Sequence, residues 1–126
     1  MGKVKNILII DDSESTRRFV RTILEDLSEE IVVHEATTGL EALKVLPKED
    51  FALIVTDINM PDVNGLELIN FVKKTDAFKS IPIIIISTER SEEDVKRGLS
   101  LGADAYITKP FRPEDITEKV KNILGL

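Results

Sequence analysis

Three carboxylates, two hydroxyls and one ammonium stand where apolar runs end. Ile7-Leu8-Ile9-Ile10 leads into Asp11-Asp12, and Leu53-Ile54-Val55-Thr56 leads into Asp57. Ile83 to Ile86 leads into Ser87-Thr88, and Ala105-Tyr106-Ile107-Thr108 leads into Lys109-Pro110. Continuous apolar runs of this length read as strands buried on both faces. Open α/β sheets bind their ligands just beyond the carboxyl ends of such strands. If the four runs are neighbours in one parallel sheet, these polar groups converge on one small site. Carboxylate oxygens suit a hard divalent cation, and an ammonium with hydroxyls suits the oxygens of a phosphoryl group.

The elements that must position these groups alternate strand and helix five times along the chain. Strands are predicted near 5–10, 31–36, 51–57, 82–88 and 104–108. The first helix follows Asp12-Ser13, with Phe19, Val20, Ile23, Leu24 and Leu27 as one apolar stripe. Thr38-Gly39-Leu40-Glu41 has capping-box spacing and opens the second helix, with Ala42, Leu43 and Leu46 inward. Asn64 caps the third, which carries Leu66, Leu68, Ile69 and Val72. Ser91 opens the fourth, whose first turn holds the acids Glu92, Glu93 and Asp94. Pro113 fits the first turn of the fifth, with Ile116, Val120, Ile123 and Leu124 facing the core. Strict alternation implies a parallel sheet with helices on both faces and right-handed crossovers. The fourth helix is the poorest in apolar residues, with Val95, Leu99 and Leu101, so light packing is expected there.

Composition narrows the function. A chain of 126 residues fits one domain, spanning 1–126, with a self-sufficient core. Charged residues at 32% and hydrophobic residues at 42% describe an ordinary globular protein. The net charge of −6 argues against nonspecific nucleic-acid binding, which needs a basic footprint. With no cysteine, disulfides and thiolate chemistry are excluded, and His34 as the only histidine excludes a multi-histidine metal site. His34 sits on the second predicted strand, far in sequence from the acids, and reads as an ordinary strand residue. No apolar run approaches the roughly 20 residues needed to span a bilayer. Met1-Gly2-Lys3-Val4-Lys5-Asn6 has neither a signal-peptide core nor the hydroxyl residue of a myristoylation signal. The expected location is the cytoplasm, without membrane insertion.

Taken together, Asp11-Asp12, Asp57-Ile58-Asn59-Met60-Pro61, Ser87-Thr88 and Lys109-Pro110-Phe111 resemble the motifs of the response-regulator receiver domains. Asn64-Gly65 and Leu101-Gly102-Ala103 match in place, and the resemblance covers nearly the whole chain. The segment Ser15 to Arg21 and the pair Glu89/Tyr106 look most like the stand-alone chemotaxis regulators of that family. The resemblance implies a flavodoxin-like doubly wound sheet of order 2-1-3-4-5 with five helices. It also implies that Asp57 is a phosphoacceptor, with Lys109 and Ser87 meeting the phosphoryl oxygens. Mg²⁺, or Mn²⁺ in its place, would be held by Asp11, Asp12, Asp57 and the backbone carbonyl of Asn59. Asn59, Thr88 and Glu89 would tune phosphoryl turnover, including a slow autodephosphorylation.

In the family, Ser87 and Tyr106 form a switch. For Tyr106 a second reading stands beside it, a half-buried strand aromatic with its hydroxyl in water. The partners implied are a histidine kinase or phosphotransfer protein, and a downstream protein docking near the fourth helix, fifth strand and fifth helix. Lys96, Arg97, Tyr106 and Lys119 lie on those elements. The chain ends at the fifth helix, so output is expected through a protein partner, unless this is a domain cut from a longer chain.

Rival functions are weaker. A small aspartate-based phosphatase would carry a second acid two residues after its nucleophile, where this chain has Asn59. A phosphorylation-independent interaction module would not need the full acid set, although the fold permits it. A flavin carrier lacks support because Asp11-Asp12 stands where a phosphate-binding loop would follow the first strand. Two positions depart from the family pattern. Val63 replaces a common Met, and Thr88 replaces a smaller residue, often Ala. The bulk of Thr88 would narrow access to Asp57. Thr88→Ala is therefore expected to speed phosphoryl turnover; unchanged dephosphorylation kinetics would remove the steric argument.

Overall fold

The computed structural model describes residues 3–126. Met1 and Gly2, which open the segment inspected for leader and lipid signals, lie outside the described residues. Five strands, β1 (Lys5–Ile10), β2 (Ile31–Ala36), β3 (Phe51–Thr56), β4 (Ile83–Ser87) and β5 (Ala105–Thr108), form one parallel sheet in the order β2-β1-β3-β4-β5. The helices are α1 (Glu14–Glu25), α2 (Gly39–Val45), α3 (Gly65–Lys74), α4 (Glu92–Ser100) and α5 (Pro113–Leu124). A single 3₁₀ turn, Leu46–Lys48, extends α2. The α/β class and the implied sheet order both hold, and the strand limits agree with expectation to within a residue at each end.

Strand side chains alternate between two cores because successive residues point to opposite faces. Ile7 and Ile9 of β1 join Val20, Ile23 and Leu24 of α1 and Ile116 and Val120 of α5 on one face. Leu8 and Ile10 join Ala42 of α2 and Leu68, Ile69 and Val72 of α3 on the other. The interior strand β1 is buried from Ile7 to Ile10 on both faces, which is why its sequence carries no polar alternation there.

One residue of a predicted core stripe, Phe19, and one of the few apolar residues of the fourth helix, Leu99, stand outside. Phe19 is 44% exposed; it lies at the edge of the α1 stripe and rests on Phe111, with ring centroids 5.6 Å apart. Leu99 is 43% exposed because α4 turns Gly98, its only buried residue, toward the sheet. A Cβ on Gly98 would lie 2.6 Å from Ile85 Cδ1 and 3.2 Å from the Tyr106 ring. The light packing expected of α4 is thus present, and it comes from close approach at a glycine.

The helix starts follow their sequence signals. Ser13, Thr38, Asn64 and Ser91 each accept a backbone N–H of their own first turn. Asn64 and Glu67 make a full reciprocal capping box. At α2 the box is incomplete: Glu41 reaches back to the amide of Thr37 rather than to that of Thr38. Two other first-turn amides are capped from elsewhere, since the Asp62 carboxylate accepts from Gly39 N and Leu40 N at 3.2 Å each. His34 is an ordinary strand residue, bonded through Nε2 to Asn6 Oδ1 at 3.0 Å and set edge-on against Phe51.

One close approach ties the fold to the site. Gly65 opens α3 with its N–H on the Ile58 carbonyl at 2.8 Å, and a Cβ there would overlap the Asp57 carbonyl oxygen. Gly65→Ala is expected to cost about 1–3 kcal/mol, the range for forcing atoms into a filled interior. Urea unfolding checks this as a lowered midpoint at unchanged slope.

Candidate functional site

The sheet ladder continues one residue past each of three strands. Asp11 N donates to Ala36 O at 3.1 Å, Asp57 N to Ile10 O at 3.0 Å, and Lys109 N to Ser87 O at 2.7 Å. The backbones of three polar residues are therefore fixed by parallel pairing before any side-chain contact forms. Their side chains then meet. Lys109 Nζ donates to Asp11 Oδ2 at 3.0 Å and to Asp57 Oδ2 at 3.4 Å. Asp12 completes the group, and Asp11, Asp12 and Asp57 each offer an oxygen within 4.8 Å of the others. Asp11 and Asp57 are buried and Asp12 is exposed.

Each buried acid is held at its second oxygen. Asp11 Oδ1 accepts from Ser13 N at 2.9 Å. Asp57 Oδ1 accepts from Ile58 N at 2.7 Å and Asn59 N at 3.4 Å. Two buried carboxylates thus share one ammonium, with the third acid, Asp12, beside them. Burial pushes the Asp57 carboxyl above its ordinary value; Lys109 opposes this and Asp11 adds to it. Burial alone would lower the Lys109 ammonium, but its contacts with Asp11 and Asp57 outweigh that and hold it above its ordinary value. The surplus of negative charge and the all-oxygen donor set fit a hard divalent cation. Such a group would sit among Asp11, Asp12 and Asp57.

The loop after β4 forms the other wall. Ser87 is fully buried and its Oγ accepts from Glu89 N at 3.0 Å. Tyr106 donates its hydroxyl to the Glu89 carbonyl at 2.7 Å, so the hydroxyl is not simply in water. Burial raises the Tyr106 phenol above its ordinary value, with the nearby Ser87 hydroxyl opposing. Asn59 Nδ2 donates to Glu89 Oε1 at 3.1 Å across the site mouth. Thr88 is exposed at the start of this loop. Asp11, Asp12, Asp57, Asn59, Ser87, Thr88, Glu89 and Lys109 therefore lie at the carboxyl edge of the sheet, and Tyr106, within β5, reaches it through its hydroxyl.

A profile described as the response regulator receiver domain matches residues 7–121. The chain belongs to the response-regulator receiver family. The chemotaxis protein CheY1 of Helicobacter pylori is 41% identical over 120 residues, covering 94% of this chain and 96% of that protein. A chemotaxis protein CheY homolog of Campylobacter jejuni is 39% identical over 120 residues, covering 94% of this chain and 92% of that one. Among solved structures, a CheY-like receiver domain protein from Methanospirillum hungatei superposes with a TM-score of 0.87 at 36% identity, covering 98% of this chain and 95% of that one. The receiver is accordingly a CheY-like response regulator of two-component signalling. No helix among the described residues is long and apolar enough to cross a membrane.

Two contributors to the receiver's site escaped the sequence. Asp62 staples the loop after β3 to the start of α2, a link across 23 positions with no local signal. Arg17 donates through Nη1 to the Asp11 carbonyl at 2.9 Å and through Nε to Glu35 Oε1 at 2.8 Å. Its only hint was its place within the α1 segment shared with the chemotaxis regulators.

The charge surplus has a consequence for stability. A carboxyl raised above its unfolded value carries no penalty while both states are protonated. The penalty grows as pH rises through the unfolded and then the folded value, and it is complete above both. Asp57→Asn is therefore expected to raise the thermal midpoint at pH 7 by a few degrees in metal-free buffer. The gain should vanish below the carboxylate range, which thermal unfolding across pH checks.

Proposed function

We propose that the receiver accepts a phosphoryl group on Asp57 from the phosphohistidine of a partner kinase or phosphotransfer protein. The observation that carries this reading is the environment of Asp57. One of its oxygens is held by Ile58 N at 2.7 Å, and the other faces Lys109 at 3.4 Å within the acid cluster. A carboxylate oxygen attacks phosphorus, a P–O bond forms, and the N–P bond breaks with its electron pair passing to the leaving imidazole. Phosphoryl transfer asks the protein chiefly for alignment and charge neutralisation. The amides of Ile58 and Asn59 hold the nucleophile in place. Lys109 supplies a compact positive charge to a phosphoryl oxygen, exchanging part of its contact with Asp11 and Asp57. Mg²⁺, or Mn²⁺, held by Asp11, Asp12, Asp57 and the Asn59 carbonyl would neutralise the transferring oxygens.

The same reading extends to output. Ser87 bonds the next phosphoryl oxygen only if the β4–α4 loop moves toward Asp57. Glu89 couples that movement to Tyr106, because its N–H rests on Ser87 and its carbonyl on Tyr106. A phosphoryl group thereby biases a two-position element, and a downstream protein docking on α4, β5 and α5 senses the difference. Exposed Lys96, Arg97 and Lys119 lie on those helices. Residues 1–126 act as one such unit, in the cytoplasm beside the kinase. The protein is a switch rather than a turnover enzyme; attack of water on the acyl phosphate resets it slowly, at a rate tuned by Asn59, Thr88 and Glu89.

Incubation with acetyl phosphate followed by intact-mass analysis tests the reading. Wild type with Mg²⁺ is expected to gain one labile phosphoryl group. Chelation of the metal, or Asp57→Asn, is expected to abolish the gain. No adduct on wild type, with beryllofluoride also failing to bind, would leave a phosphorylation-independent module as the function.

A further inference from the structure

The acid cluster has one member that nothing holds by its side chain. Asp11 is fixed by Ser13 N and Lys109, and Asp57 by Ile58 N, Asn59 N and Lys109. Asp12 is exposed, and its carboxylate has no hydrogen-bond partner among the described residues. Its direction depends on the peptide joining Asp11 to Asp12. The hydrogen bond found on that peptide comes from Arg17, whose Nη1 donates to the Asp11 carbonyl at 2.9 Å.

Arg17 is itself held. Its Nε meets Glu35 Oε1 at 2.8 Å, and its side chain is only 13% exposed. Arg21, one turn later on α1, meets the other oxygen of Glu35 and also the Val33 carbonyl. Glu35 lies on β2, paired with Ile9 of β1. The planar guanidinium fork thus spans from the neighbouring strand to the peptide that aims Asp12, a geometry a lysine would not reproduce. Glu35 also offsets the charge of Arg17. A lone arginine beside a cation site would repel the cation, whereas the paired one contributes alignment without that penalty.

We infer that Arg17, clamped by Glu35, is a positioning residue for divalent-cation binding: it fixes the Asp11–Asp12 peptide so that the Asp12 carboxylate points at the cation. The inference rests on the receiver reading above and deepens it. Groups that orient metal ligands commonly change affinity by 10–100-fold when lost.

The experiment is a Mg²⁺ titration of the full chain followed by amide chemical shifts, without any phosphodonor. Arg17→Met is expected to weaken Mg²⁺ binding about tenfold, at the low end of that range. Arg21→Met removes a comparable contact with Glu35 but touches no part of the site; it is expected to lower stability and leave Mg²⁺ affinity at the wild-type value. Simple charge removal predicts the opposite sign, since a site with one fewer positive neighbour should bind a cation more tightly. Folded Arg17→Met with equal or tighter Mg²⁺ binding would therefore overturn the inference, as would an equal weakening by Arg21→Met. Should Arg17→Met not fold, Arg17→Lys decides: it keeps the positive charge but not the planar fork, so a severalfold loss supports the inference and unchanged affinity overturns it. Wild type that fails to bind Mg²⁺ would overturn the receiver reading and this inference together, whereas a wild-type affinity shared by Arg17→Met removes the inference alone.

Discussion

Crowding of like charge at the carboxyl edge of the sheet is the constraint on which the rest of this structure depends. Asp11, Asp12 and Asp57 bring oxygens within 4.8 Å of one another, and among the described residues the one ion-pair partner is Lys109, which meets Asp11 and Asp57. Folding must hold these groups together against their repulsion, and it does so with backbone rather than with side chains alone. The parallel ladder extends past β1, β3 and β5 to Asp11, Asp57 and Lys109, so each polar residue is anchored by the same bonds that hold the sheet. A site built this way is left short of positive charge, which fits it to a hard divalent cation.

Around that edge, the polar network divides into two regions. On the β1 side the bonds are rigid and local to buried structure: Ser13 N on Asp11, and Arg17 between Glu35 and the Asp11 carbonyl. The Arg17 and Arg21 contacts keep Glu35 below the usual carboxylate range against the opposing effect of its burial. On the β4 side the bonds run through an exposed loop: Glu89 alone links Ser87, Tyr106 and Asn59. α4 beyond it has one buried residue, Gly98, and so little apolar area to resist displacement. The chemistry thus sits between a fixed wall and one that few contacts restrain.

The fold was legible because its signals are local. Unbroken apolar runs identify strands buried on both faces, and Ser13, Thr38, Asn64 and Ser91 each cap the helix their sequence announces. The family resemblance then supplied the strand order, which periodicity cannot. Where the expectation failed, the cause was geometry between elements. Phe19 shares the spacing of the α1 stripe but lies at its edge against Phe111, and Leu99 yields the inward position to a glycine. Hydropathy along a helix cannot tell which edge of an apolar stripe is covered, nor that a residue without a side chain faces the sheet.

The amino-acid sequence by itself determined the strand–helix alternation, the cores of both faces and the residue types at each strand end. It did so because burial and capping are decided by neighbours a few positions away. Only the tertiary structure decided that Asp62 caps a helix 23 residues earlier, that Glu89 joins Ser87 to Tyr106, and that Arg17 braces the peptide aiming Asp12. Those contacts depend on the distance and angle between packed elements, and no pattern of residues along the chain encodes a hydrogen bond whose two ends are brought together by the sheet.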